Sequence, residues 1–197
     1  MAFRSSAKPE FQPKTFAFTA DTIAKANKIL AKYPSSRKQS ALLPLLDIVQ
    51  RQADNWLPIP AMQAVADFLE IPYIRVYEVA SFYTMFNLEP VGKNLVQICR
   101  TTPCWLRGSN GLKDVCETQL EIKLGETTRD KKFTLVEVEC LGACVNAPMV
   151  QINDDYYEDL NPSIMKEILV DLSKGKKPKI GTYEKRLNSA PISGILA

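Results

Sequence analysis

Four cysteines constrain the fold of this chain more than any other feature of its sequence. They form a C-x4-C pair and a C-x3-C pair separated by 35 residues: Cys99, Cys104, Cys140 and Cys144. The chain has 197 residues and no histidine, so a site for a soft metal must be built from thiolates, with carboxylates a poorer alternative. We expect the two loops to meet around one metal centre. Four thiolates fit either tetrahedral zinc or an iron–sulfur cluster.

Charge and composition exclude several other classes of protein. The formal net charge of +3 is too small to indicate nucleic-acid or membrane binding, and no apolar run approaches the roughly 18 residues of a membrane span. The first residues are basic and serine-rich but lack the apolar stretch of a secretory signal, and they are too short for a convincing transit peptide. Five cysteines without such a signal favour metal or redox chemistry over disulfides.

The first half of the chain predicts an extended arm over 1–18 and a helical domain over 19–88. Periodicity and proline positions indicate four helices, over about 19–33, from 36–40 onward, over about 60–70 and from 72 onward. The residues expected on their buried faces are Ile23, Ala26, Leu30 and Tyr33 in the first helix, Leu42, Leu45, Leu46, Val49 and Ala53 in the second, and Tyr73, Val76, Tyr77, Ala80 and Tyr83 in the fourth. Phe82 and Phe86 are also expected to be core residues, with a place at an interface as the second alternative.

The second half predicts a β-α-β-β-α domain over 89–175, in which one open sheet packs against helices. The strands are expected at 95–99, 133–139, 149–152 and 156–158, with helices over about 110–122, capped by Ser109, and 162–174. Residues 176–197 show no periodicity and are expected to form a tail. The predicted fold class is thus α+β, a helical bundle followed by an α/β domain.

The predicted strands indicate where the two cysteine pairs lie in the fold. Cys99 and Cys140 each end a predicted strand, with Cys104 in the loop after the first, so adjacent strands would bring both loops to one edge of the sheet. The remaining cysteine, Cys116, lies at core spacing on a helix and is interpreted as a buried structural residue. Spacing alone leaves open an iron–sulfur cluster, a structural zinc and free thiols.

The sequence around the cysteines closely resembles that of one family. This family is the thioredoxin-like [2Fe–2S] ferredoxin subunit of the NADH-oxidising module of respiratory complex I, also called NADH dehydrogenase flavoprotein 2. The similarity spans roughly residues 16–180 and includes the helical region. The runs that carry it are VQICRTTPCWLRGS (96–109), EVECLGACVNAPMVQI (137–152), RVYEVASFYTMFN (75–87) and YYEDL (156–160). Arg100 departs from the family, whose members carry a small or hydroxyl residue there.

This resemblance implies a thioredoxin-like fold for the second domain and one [2Fe–2S] cluster ligated by Cys99, Cys104, Cys140 and Cys144. It implies an electron-transfer subunit that exchanges an electron with the FMN of a flavoprotein partner, which also binds NADH, and that lies beside the large iron–sulfur subunit. No catalytic residue is implied, because hydride transfer belongs to the partner; the chain is an enzyme only as part of NADH:ubiquinone oxidoreductase.

Several alternatives remain open at this point. NAD-linked hydrogenases and formate dehydrogenases use similar subunits. The alternatives from other classes of protein are an interaction module stabilised by a structural zinc and a thiol–disulfide enzyme. The chain lacks a C-x-x-C pair and a glycine-rich dinucleotide motif. The expected location is the matrix side of the mitochondrial inner membrane or, alternatively, the cytoplasmic side of a bacterial one, as a peripheral subunit with no membrane span of its own.

Overall fold

The computed structural model describes residues 5–184, and the chain divides into two compact units at the boundary between Val91 and Gly92. The first unit is helical and the second contains a five-stranded sheet with helices. Mixed helices and sheet, as the sequence predicts, are confirmed. Over the described residues, no helix combines the length and the apolar character needed to cross a membrane.

The described part of the first unit contains four α-helices. Thr19 caps the first helix by accepting a hydrogen bond from the Thr22 amide at 3.2 Å, and Glu70, in the left-handed conformation, ends the third. Two 3₁₀ turns, Pro9–Phe11 and Ser35–Ala41, also lie in this unit. The helices are α1 (Ala20–Leu30), α2 (Leu42–Gln52), α3 (Ile59–Leu69) and α4 (Tyr73–Phe82).

The second helix begins later than predicted. The segment Ser35–Ala41 forms a 3₁₀ turn in which Arg37 has non-helical backbone angles (φ −129°, ψ 32°), so α2 starts only at Leu42. From there the predicted stripe is buried: Leu42, Leu45, Leu46 and Val49 are at most 2% exposed, whereas Ala53 is half-buried beyond the end of the helix.

Three predictions of buried side chains are wrong. Ile23 is 43% exposed because the inward face of α1 instead carries Thr22 and Ala26, which are four residues apart. Phe82, the last residue of α4, is 70% exposed because it lies off the face that carries the buried Val76 and Ala80. Tyr83 is 39% exposed because it follows the helix in an extended conformation, where helical spacing no longer applies. Phe86 then returns to the core and is fully buried, as predicted.

The second unit combines a mixed sheet with helices. The strands are β1 (Asn94–Cys99), β2 (Phe133–Val138), β3 (Val150–Ile152), β4 (Asp155–Glu158) and β5 (Gly181–Thr182); the helices are α5 (Thr102–Leu106), α6 (Ser109–Leu120) and α7 (Pro162–Ser173). The strand order in the sheet is β2-β1-β3-β4-β5. β1 pairs with β2 and β4 with β5 in parallel, whereas β3 is antiparallel to both β1 and β4. A parallel pair needs a crossover, which α6 helps to provide between β1 and β2.

Three local predictions for this unit need correction. Cys104 lies on the short helix α5 rather than in a loop, with Pro103 in the first turn, where a missing N–H costs nothing. Gly108, at φ 97°, takes the cap position of α6, and Ser109 is its first helical residue. Residues 181–182 of the predicted tail form β5 against β4, whereas residues 185–197 lie outside the described part of the chain.

Candidate metal centre

The first cysteine pair is buried at the carboxyl end of β1. Cys99 is the last residue of β1 and Cys104 lies on α5; their exposed fractions are 1% and 0%. The two thiols are hydrogen-bonded to each other. The hydroxyl of Thr101, between them in sequence, lies 3.4 Å from Cys99 Sγ.

The second pair lies on an exposed loop after β2. The Sγ atoms of Cys140 and Cys144 are 3.4 Å apart, and both residues are exposed. The Gly142 amide donates a hydrogen bond to Cys140 Sγ at 3.4 Å. Gly142 has φ 83°, a left-handed conformation that glycine adopts without the penalty of a Cβ atom. The small residues of this loop therefore let the backbone turn around the sulfur.

The fold brings the two pairs together. β1 and β2 are parallel neighbours with Cys99 opposite Val138, so the loops leave the same edge of the sheet. The Thr101 hydroxyl is hydrogen-bonded to Cys140 as well as to Cys99. The Leu141 amide of the second loop donates to Cys99. All four predicted residues thus lie at one site, whereas Cys116 is buried in the core of the second unit, as predicted.

The pKa values of the thiols follow the same pairing. In the first pair, burial raises the pKa of Cys104 to about 12 with help from its hydrogen bond to Cys99. Burial also acts on Cys99, but hydrogen bonds from Thr101 and Leu141 bring its pKa below the usual value. In the second pair, the Gly142 amide lowers the pKa of Cys140, and the hydrogen bond to Cys140 raises that of Cys144. Each pair thus contains one thiol disposed to ionise first.

Other residues hold the second loop in place through contacts that the sequence did not predict. The Tyr156 hydroxyl, on β4, donates to the Leu141 carbonyl at 2.7 Å. Arg107 Nε donates to the Ala147 carbonyl at 3.4 Å. Tyr156 lies on a strand remote in sequence from the cysteines, so only the strand pairing reveals its contact with the loop.

The donor set fits a two-iron cluster. Each iron of a [2Fe–2S] cluster takes two cysteine thiolates, and the side chains present form two such pairs, one buried and one exposed. Backbone N–H groups from Gly142, Leu141 and Met149 reach the sulfurs. A single metal ion would need at least three such side chains grouped around it, and within residues 5–184 no three Cys, Asp or Glu side chains are grouped in that way.

The chain belongs to the thioredoxin-like [2Fe–2S] ferredoxin family, which matches over residues 26–173. It is 60% identical over 154 residues to an NADH-quinone oxidoreductase subunit of Rickettsia bellii, an alignment that covers 78% of this chain and 92% of that relative. It is 54% identical over 171 residues to the mitochondrial NADH dehydrogenase [ubiquinone] flavoprotein 2 of Dictyostelium discoideum, covering 87% of this chain and 69% of that relative. The resemblance seen in the cysteine loops is confirmed, and so is the [2Fe–2S] cofactor expected from it.

A solved structure shares the fold. A crystal structure of an NAD⁺-reducing [NiFe]-hydrogenase matches 68% of this chain with a TM-score of 0.60 and 19% sequence identity. This chain spans about a quarter of that hydrogenase chain, since 23% of it is covered. At this identity the likeness concerns the fold alone.

Proposed function

We propose that this chain is the electron-transfer subunit of the NADH-oxidising module of respiratory complex I, with one [2Fe–2S] cluster ligated by Cys99, Cys104, Cys140 and Cys144. The convergence of two thiol pairs at one sheet edge supports the ligand set. The identity to the Rickettsia NADH-quinone oxidoreductase protein, over nearly all of that relative, supports the complex. The chain has an enzyme activity only as part of that assembly.

When bound, a [2Fe–2S] cluster supplies a one-electron couple. The protein's own contribution is to hold it and to set its potential. The Gly142 and Leu141 amides and the Thr101 hydroxyl donate towards sulfur, which favours the more negative, reduced state. Burial of Cys99 and Cys104 excludes water on one side, while the exposed Cys140 and Cys144 leave the other side accessible to a partner.

The partners in this proposal are the flavoprotein subunit that binds FMN and NADH and the neighbouring large iron–sulfur subunit. The proposed location is the matrix side of the mitochondrial inner membrane or, as the alternative, the cytoplasmic side of a bacterial one. The division into an arm (1–18), a helical domain (19–88), a ferredoxin domain (89–175) and a tail (176–197) is part of the same proposal. Neither nucleic acid nor a membrane span belongs to it.

The test of the cofactor is electron paramagnetic resonance on the anaerobically purified chain before and after dithionite, with iron and zinc assayed on the same sample. We expect a spin-half signal only after reduction and two irons per chain, as a [2Fe–2S] cluster requires. A colourless sample with one zinc and no iron would mean a structural module instead.

Isolation of the native assembly through a tag on this chain tests the partner. A hydrogenase or formate dehydrogenase in place of the flavoprotein would overturn the assignment to complex I.

Gly142→Ala should release the cluster faster. Nothing lies within 4 Å of the added Cβ, so the effect comes from backbone strain at φ 83°, roughly 1–2 kcal/mol. That strain corresponds to about 5- to 30-fold faster bleaching by a chelator. Gly175→Ala is the control, because Gly175 has φ 74° and equally open space but lies after α7. Equal bleaching in both variants would contradict a role of the loop conformation.

Thr101→Val should lower the midpoint potential of the cluster. Valine has nearly the same shape but lacks the single hydroxyl hydrogen that Thr101 directs at the sulfurs of Cys99 and Cys140. We expect a drop on the order of tens of millivolts, where 59 mV is a tenfold change in a one-electron equilibrium. An EPR-monitored redox titration measures it, with the exposed neighbour Thr102→Val as control. The prediction fails if both variants shift alike or neither shifts.

Arg100→Thr should leave the potential nearly unchanged. Two roles are open to an arginine at this position: an inward cation that raises the potential, or a solvated surface side chain. The side chain is 59% exposed, and its Nη1 lies 3.9 Å from Glu137 Oε2, which supports the second alternative. We expect a shift well below the roughly 59 mV of a tenfold change, because solvent and Glu137 screen the charge. A larger drop in the same titration would show that the guanidinium acts on the cluster.

A further inference from the structure

A buried polar chain connects the second cysteine loop to the last described strand. Asn146, two residues after Cys144, is fully buried. Its Nδ2 donates to Asp159 Oδ2 at 3.0 Å, and the Asp159 amide donates back to the Asn146 carbonyl at 2.8 Å. Side chain and backbone of Asn146 are therefore both fixed by one residue.

Asp159 is in turn held from β5. The Thr182 hydroxyl donates to the same carboxylate oxygen at 2.6 Å. Asp159 is 8% exposed and has φ 55°, a left-handed conformation that aspartate adopts more readily than most other non-glycine residues. A buried carboxylate is tolerated when hydrogen bonds satisfy it, and the Asn146 and Thr182 side chains supply two such bonds to Oδ2.

The backbone around this chain adds a second connection. The Leu160 amide donates to the Pro148 carbonyl at 3.0 Å. Residues 159–160 thus run alongside residues 146–148, immediately after the second cysteine pair. β5 is paired with β4 through Glu158 and Thr182, so Thr182 reaches Asp159 from a fixed position.

We infer that Asp159 is a positioning residue for the ligand loop that ends at Cys144 and that Thr182 holds Asp159 in place, which gives the segment around β5 a role in the metal centre. The inference rests on the proposed function for its ligand set. Its second consequence is electrostatic: a carboxylate held beside this loop disfavours the added negative charge of the reduced state. Removing that charge should raise the midpoint potential, an effect that a purely mechanical support would not have.

The experiment compares the full chain, its variants T182V and D159N, and the control T118V. Thr118 is exposed on α6, and among residues 5–184 its hydroxyl bonds only to the Asp114 carbonyl, within that helix. Hydrogen exchange is measured first, on residues 144–148 and 157–160, because it does not require iron. We expect at least about tenfold faster exchange in T182V, since a hydrogen bond to a charged group is lost. Chelator-driven iron release should accelerate in T182V and D159N but not in T118V.

The outcomes separate this inference from the proposed function. Wild-type chain without a [2Fe–2S] signal overturns the proposed function, while the exchange rates still test the support of the loop. Hydrogen exchange and iron release at wild-type rates in both T182V and D159N would overturn the inference. If D159N does not fold, the rates of T182V alone decide it. In loaded protein we expect D159N to raise the midpoint potential and T182V to change it less. A potential in D159N no higher than that of the wild type overturns the electrostatic consequence.

Discussion

Cys104→Ala should abolish stable cluster binding, with iron falling from about two per chain to well below one. Cys104 is fully buried, so neither water nor an added ligand can reach the position that the missing thiolate leaves. The measurements are iron per chain and the EPR signal of the reduced protein. Retention of two irons with an unchanged signal would remove Cys104 from the ligand set.

The matched control for this variant is Cys116→Ala. Cys116 is also fully buried, and its pKa is likewise raised to about 12, chiefly by burial. It packs among the core residues of the second unit, so we expect a packing loss of about 1 kcal/mol and full iron content. The two variants thus separate a ligand from a structural thiol of the same burial.

A further comparison uses the exposed pair. Cys144→Ala removes a thiol on the accessible side of the site, where a small added thiol can approach. We expect such a thiol to restore part of the iron content in Cys144→Ala but none in Cys104→Ala. Equal rescue of both variants would contradict the division into a buried and an exposed pair.

Much of the site was predictable because it follows from local sequence and strand pairing. The sequence predicted strands that end at Cys99 and Cys140. The pairing of β1 with β2 places both residues at one edge, although β2 itself ends at Val138, two residues before Cys140. The helical spacing that set Cys116 apart was equally informative. Tyr83 was mispredicted because the helical spacing was extended past the end of α4 at Phe82.

What the sequence did not reveal depends on contacts between distant segments. β5 has two residues and exists only because β4 offers an edge to pair with. The hydrogen bonds of Tyr156 and Asp159 to the second cysteine loop join residues 13 to 15 positions apart. Neither composition nor periodicity carries a signal for such contacts, although the run at 156–160 was noted for its family resemblance.

Gly92→Ala should destabilise the sheet unit by roughly 3 kcal/mol. An added Cβ would lie 2.6 Å from the Phe133 carbonyl carbon and 2.7 Å from its nitrogen. Both are backbone atoms that cannot rotate away. The Gly92 amide also donates to Thr134 Oγ1 at 2.6 Å. Relief of the clash would therefore separate the start of β1 from β2.

The consequence reaches the metal centre because β1 and β2 carry the two cysteine loops at their other ends. Urea unfolding followed by circular dichroism and by loss of cluster absorption should show a lower midpoint by both signals in Gly92→Ala. Gly111→Ala is the control: its Cβ would lie 3.4 Å from Pro162 Cγ, and alanine is the better helix former. A midpoint in Gly92→Ala equal to that of Gly111→Ala would mean that the strand pair tolerates the displacement. The close approach of Gly92 would then not fix the alignment that brings the thiols together.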